Sequence, residues 1–151
     1  MLCHNSPDMT ETVVILHVVF ASAWFGHKLL IPRDVRVSVR TVESGQLLVD
    51  RMQRAQRLGI ASGLGTLATG VWLTYLTTGF FDASVPTYVA FGVVLLMFVV
   101  GATAGRTSWN RIRDAIASND VPGAAGGVSA FNRALNLESL LWILALTMMF
   151  L

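Results

Sequence analysis

Four long apolar stretches constrain this chain more than any motif in it. They run from about residue 12 to 31, 58 to 78, 87 to 105 and 135 to 151. A bilayer-spanning helix needs about 20 residues, within a range of about 17–25, so each stretch meets the requirement. Composition points the same way. Apolar residues make up 54% of the chain and charged ones only 13%, whereas a soluble domain carries roughly 25% charged residues. Mean hydropathy is +0.61 for a 16.4 kDa chain, more apolar surface than a small soluble fold can bury. The expected fold is therefore all-α: an integral membrane four-helix bundle forming a single domain over residues 1–151. The segment before the first stretch carries Asp8 and Glu11 and no Lys or Arg, the reverse of a signal-peptide n-region. The first stretch is accordingly read as a retained helix.

Charge placement predicts the orientation. Lys28, Arg33, Arg36, Arg40, Arg51, Arg54 and Arg57 lie at the end of the first stretch or between it and the second. Arg106, Arg111, Arg113 and Arg133 lie between the third and the fourth, completing the eleven basic residues. Cytoplasmic loops are the ones enriched in Lys and Arg. Both termini are thus expected outside and both long loops in the cytoplasm, in an inner (cytoplasmic) membrane of bacterial type. A net charge of +2 whose basic residues are explained by topology gives no footprint for nucleic acid. Tyr75, Phe80, Phe81 and Tyr88 surround the short outer turn and Trp109 adjoins the inner loop, where amphipathic rings favour the interface. Pro86 suits a helix start. The Gly-Ala-Ala-Gly-Gly run after Pro122 is expected to break any helix in the second inner loop. In the first inner loop, Val35, Val37 and Val39 alternate with polar residues, whereas LLVDRMQRAQRL reads as helical. A single cysteine, Cys3, leaves no internal disulfide and no Cys-based metal site.

Gly59, Gly63, Thr66 and Gly70, and likewise Gly101 and Gly105, are spaced for close helix packing in lipid. Gly63 and Gly65 begin like a dinucleotide fingerprint, but residue 68 is Ala and no strand precedes it. Chemistry is sought among ionisable groups inside the spans, which are costly there. The first span carries His17, His27 and Lys28. At 100° per residue, His17, Trp24 and Lys28 fall within about 20° of one line, with Ala21 about 40° away. That face offers an imidazole, a small residue that opens space, an aromatic wall and a cation. His27 lies about 80° off the line and about 15 Å from His17 along the axis, so the two cannot clamp one iron. His17 is either a cofactor ligand or an imidazole hydrogen-bonded within the bundle. His27 and Lys28 lie near the cytoplasmic boundary, where long side chains snorkel. Arg133, Asn136 and Glu138 open the fourth span. Glu138 is either an acidic group at a helix start or a partner of Arg33 or Lys28 in an ion pair closing the cytoplasmic mouth. Met148 and Met149 are read as lipid-facing or core rather than as a copper site.

His17, Trp24 seven residues later and Pro32-Arg33 beyond it resemble the first helix of HemJ-type protoporphyrinogen IX oxidases. These are small membrane proteins related to the membrane domain of copper-resistance D proteins. Gln-Arg-Ala-Gln-Arg-Leu leading to Gly70-Val71-Trp72-Leu73 is similar to the family's second helix. Residues 131–136, Phe-Asn-Arg-Ala-Leu-Asn, are similar to the Arg-x-x-Asn-Glu opening of its last helix. The resemblance implies haem b bound through His17 and oxidation of protoporphyrinogen IX. Two positions depart from it. The third span holds no lysine, and Leu137 follows Asn136, with Glu138 one residue late and rotated by about 100°.

Two functions follow as expectations. One is an accessory or structural subunit of a larger respiratory or photosynthetic membrane complex, with a tetrapyrrole at His17 in some versions. The other is a haem-b-dependent oxidase of the HemJ type. Little soluble chain is expected for substrate capture, which favours the subunit. The partners are the lipid bilayer and other membrane subunits or further copies of the chain. Copper uptake lacks the Met/His clusters a soft metal would need.

Overall fold

The computed structural model describes residues 7–39 and 42–149. Its elements are α1 (Pro7–Ser38), α2 (Val42–Thr77), α3 (Val85–Val100), a π-helical turn (Gly101–Gly105), α4 (Arg106–Ala117) and α5 (Val121–Met148). The π turn joins α3 to α4 without a break, so the described residues form four helical rods. Cys3, Arg40, and the last two residues of the fourth apolar stretch, Phe150 and Leu151, lie outside the described residues. Two rods, Asp8–Ser38 and Val85–Ala117, are long and apolar enough to cross a membrane. α2 is less apolar because Ser62, Thr66, Thr69, Thr74 and Thr77 interrupt it. Their hydroxyls donate to backbone carbonyls one turn back, which makes them compatible with an apolar setting. The apolar part of α5 opens among Asn132, Arg133, Asn136 and Glu138.

α1 packs against α2 and α5, α5 packs against α3 and α4, and α2 touches α4. Along the rods the molecule divides into two halves of different physics. The apolar half holds the first part of α1, the second part of α2, α3 and the end of α5. Its outward residues are apolar: Ile15, Val18, Val19, Leu30, Ile60, Leu64, Leu95, Val99, Leu140 and Ile143 are all exposed. The basic half holds the remainder and is built like a water-soluble bundle. Val35, Val39, Leu48, Met52, Trp109, Ile112, Ile116, Ala124, Val128, Phe131 and Leu135 form one buried cluster there. In α4, Trp109, Ile112 and Ile116 point inward while Arg106, Arg111 and Arg113 face out.

Several sequence expectations are corrected by this second core. The long inner loops are replaced by helix. α1 continues through Pro32 to Ser38, and Val35 and Val39, one turn apart, are buried while Val37 is exposed, so their alternation does not mark a strand. The third stretch does not stop at Gly105 but runs on to Ala117. The Gly-Ala-Ala-Gly-Gly run is helical, inside α5. Pro122 sits in the first turn, where its missing N–H costs little. The Asp120 carboxylate caps the helix by accepting from the Gly123 N–H at 3.0 Å. Packing then outweighs the poor helix propensity of glycine: a Cβ on Gly127 would lie 2.7 Å from Ile112 Cγ1, so the glycine lets α5 approach α4. Trp109 is 4% exposed and lies 6.0 Å from the Phe131 ring; it is core, not an interfacial anchor.

At the opposite end, α2 turns into α3 through Gly79, whose φ of 76° suits glycine. Phe80 packs edge-on against Phe81 and Tyr88, and Tyr75, Phe80, Phe81 and Tyr88 are all exposed.

Candidate functional site

The face drawn on the first helix is the inward one. His17, Trp24 and Lys28 are all buried, as their shared azimuth requires, and each meets a different helix. His17 faces α2, where its Nδ1 lies 2.9 Å from Thr69 Oγ1. With the Thr69 hydroxyl donating to the Gly65 carbonyl at 2.6 Å, the tautomer that satisfies both contacts carries its proton on Nδ1. In the neutral imidazole this leaves the lone pair on Nε2. A ring N–H tied to an oxygen while the other nitrogen offers its lone pair is the arrangement metal-ligating histidines adopt. Gly70 makes room for the ring, since a Cβ there would lie 3.2 Å from His17 Cε1.

His17 lines a cavity of about 440 Å³ between α1, α2, α3 and the end of α5, within the roughly 300–1,000 Å³ usual for small-molecule sites. Its walls include Val14, Leu73, Phe91 and Val94, and Met148 and Met149 close it from α5. The two methionines therefore line a cavity, a role the sequence did not suggest. Trp24 and Ala21 do not line it. Ala21 is half-buried, and Gly70 and Ala90 supply the space instead. Trp24 belongs to the next layer. Its ring stacks on Phe98 of α3 at 5.3 Å, and both rings press on Gly63, where a Cβ would lie 3.1 Å from Trp24 Cε2 and 3.0 Å from Phe98 Cζ.

One turn further on, the Lys28 ammonium lies 4.9 Å from the centre of the Trp24 ring and is ion-paired to Glu138 of α5. Both side chains are under a tenth exposed. Lys28 therefore points into the bundle and does not snorkel, because a buried carboxylate is the better partner. Of the two cations considered for Glu138 it is Lys28 that is engaged, while Arg33, Arg133 and Asn136 are exposed. The carboxylate occupies a notch in the π turn: a Cβ on Gly101 would lie 2.9 Å from Glu138 Oε1. His27 is apart from these groups. Its Nδ1 donates to the Ala23 carbonyl at 3.2 Å, and the ring lines a separate cleft with Asp34 and Arg51.

Thr69, Phe98 and the paired methionines escaped sequence reasoning. Thr69 lies three residues after Thr66 on the packing face of α2, a signal that spacing could have supplied. Phe98 carries no such signal among the apolar residues around it. Comparison with family models, curated proteins and solved structures yields no match.

The HemJ resemblance implies a tetrapyrrole. Toward such a group the cavity offers one imidazole, His17, and walls that are apolar over most of their area. Among the described residues no Lys or Arg lines it to meet a propionate.

Proposed function

We propose that this chain is an integral membrane four-helix bundle that holds a metal tetrapyrrole, haem b being the reference case, axially through His17. It serves as an accessory or structural subunit of a larger respiratory or photosynthetic membrane complex. The apolar half lies in the bilayer with both termini outside, and the basic half is cytoplasmic, in an inner membrane of bacterial type. The observation that carries the reading is the fixed His17 ring: Nδ1–H bound to Thr69, on the wall of a cavity of about 440 Å³. A bound haem would supply one-electron redox chemistry. The chain's residues orient it, exclude water through Trp24 and Phe98, and seal the bundle with the Lys28–Glu138 pair. Exposed apolar residues along the rods suit lipid and neighbouring subunits or further copies of the chain.

The absorption spectrum of the purified protein tests this. A Soret band with reducible α and β bands is expected, abolished by His17→Ala and largely kept by His27→Ala. Equal loss in both variants, or a featureless visible region in the wild type, would refute it.

A second reading, protoporphyrinogen oxidation of the HemJ type, is favoured by one observation: Lys28 points inward. Its ammonium is held by Glu138, however, and does not reach the cavity wall, so it is not available to orient a propionate. The expected outcome is that the gene fails to rescue growth of a strain lacking protoporphyrinogen oxidase. Rescue that is lost on His17→Ala would restore the oxidase reading.

A further inference from the structure

Among the described residues the lining of the His17 cavity holds no Lys, Arg, Asp or Glu, and most of its hydroxyls are already engaged. The hydroxyls of Thr66, Thr74 and Thr77 donate to the carbonyls of Ser62, Gly70 and Leu73 at 2.8, 3.0 and 2.9 Å. Those of Ser84 and Thr87 bond one another at 3.0 Å. The His17 N–H is committed to Thr69. What the wall presents is lone pairs: oxygen on the threonines, nitrogen on His17 and thioether sulfur on Met148 and Met149. Such a surface complements an electron-poor centre and offers no charge to pair with an anion.

The surroundings reinforce this. Thr10, on the cavity wall, is flanked by exposed Asp8 and Glu11, and exposed Asp82 lies in the turn between α2 and α3. No lysine or arginine lies in that turn or before Lys28. A carboxylate held in the cavity would be unpaired, which is costly, and one directed out past α1 or the turn would meet like charges. Among the described residues neither place holds a lysine or arginine, the usual charge-assisted donors to a propionate. Unpaired charge is also a recognised way for a site to reject one of two otherwise similar molecules.

Resting on the tetrapyrrole reading, we propose that the site selects a metal tetrapyrrole whose side-chain carboxyls are esterified or missing over one with free propionates. The metal takes the His17 Nε2 lone pair, the ring lies against Phe91, Val94 and Leu73, and the uncharged periphery meets the hydroxyl-bearing wall.

The test is a titration of the full chain in uncharged detergent with iron protoporphyrin IX and, separately, with its dimethyl ester. Only the Soret shift that His17→Ala removes is counted, which excludes partition into micelles. The ester is expected to bind at least ten-fold more tightly. Thr87→Lys, which places a cation on the wall, is expected to narrow that gap at least three-fold by improving free-acid binding. Equal or tighter binding of the free acid by the wild type, or a gap unmoved by Thr87→Lys, would overturn the inference and leave the tetrapyrrole reading standing. Absence of a His17-dependent shift with either compound would overturn both.

Discussion

Lys28 decides the electrostatics of the bundle. Its charge is buried, and it is tolerated because Glu138 supplies the opposite charge and the Trp24 face adds a cation–π contact. Removing one member of a buried pair strands the other, at a cost of about 3–5 kcal/mol, whereas replacing both with apolar residues is often neutral or better. Lys28→Met and Glu138→Met are each expected to lower unfolding stability in detergent by about that amount. The double variant should recover most of the loss. Additive losses in a denaturant titration would show that the pair is not coupled. The same azimuth arithmetic made the shared face of His17, Trp24 and Lys28 legible in the sequence, because local helix geometry fixes it. Their partners Thr69, Phe98 and Glu138 are 52, 74 and 110 positions away from them in the chain. Glu138 could be proposed because charges are rare in these spans. Thr69 had only its spacing from Thr66 to mark it, and Phe98 had nothing, because one phenylalanine of an apolar helix is like another until the helices are docked.

At the scale of the element, glycine has two meanings that propensity does not separate. Gly127 is where α5 meets Ile112, whereas a Cβ on Gly126 would touch nothing within 4 Å. Gly127→Val is therefore expected to destabilise by about 1–3 kcal/mol through overpacking. Gly126→Ala should be neutral or stabilise by up to about 1 kcal/mol through helix propensity. Thermal unfolding of the two variants checks this, and similar behaviour would refute the packing assignment. Glycine's low helix propensity hides this helix in the sequence, although its start signals stand beside the run, Asp120 at the cap and Pro122 in the first turn. The continuation of the third stretch was hidden differently: Gly101 and Gly105 fit both a helix end and the π turn that accommodates Glu138.

At the scale of the molecule, rod length explains why the loops vanished. α1 has 32 residues and α2 has 36, about 48 and 54 Å at 1.5 Å per residue, against a hydrocarbon core of about 30 Å. The number of rods and the polarity of their ends were legible from four apolar runs and the placement of basic residues. The second core was not, because its apolar residues are scattered at helical spacing among arginines and form no long run. The proposed orientation makes Ser84 accessible from outside and Ser118 from the cytoplasm. Cysteine variants at the two exposed positions should label with opposite sidedness in intact cells, and labelling of Ser118Cys from outside would reject that orientation. Among the described residues, continuous helix joins the apolar half to the basic one. The first and third rods carry irregularities at one level, Pro32 one turn beyond Lys28 and the π turn beside Glu138. The bundle is thus a set of long levers whose irregular turns gather around a single electrostatic fulcrum. A shift of the rods at the level of His17 would reach the buried core of the basic half as a tilt, with no need for either end to unfold.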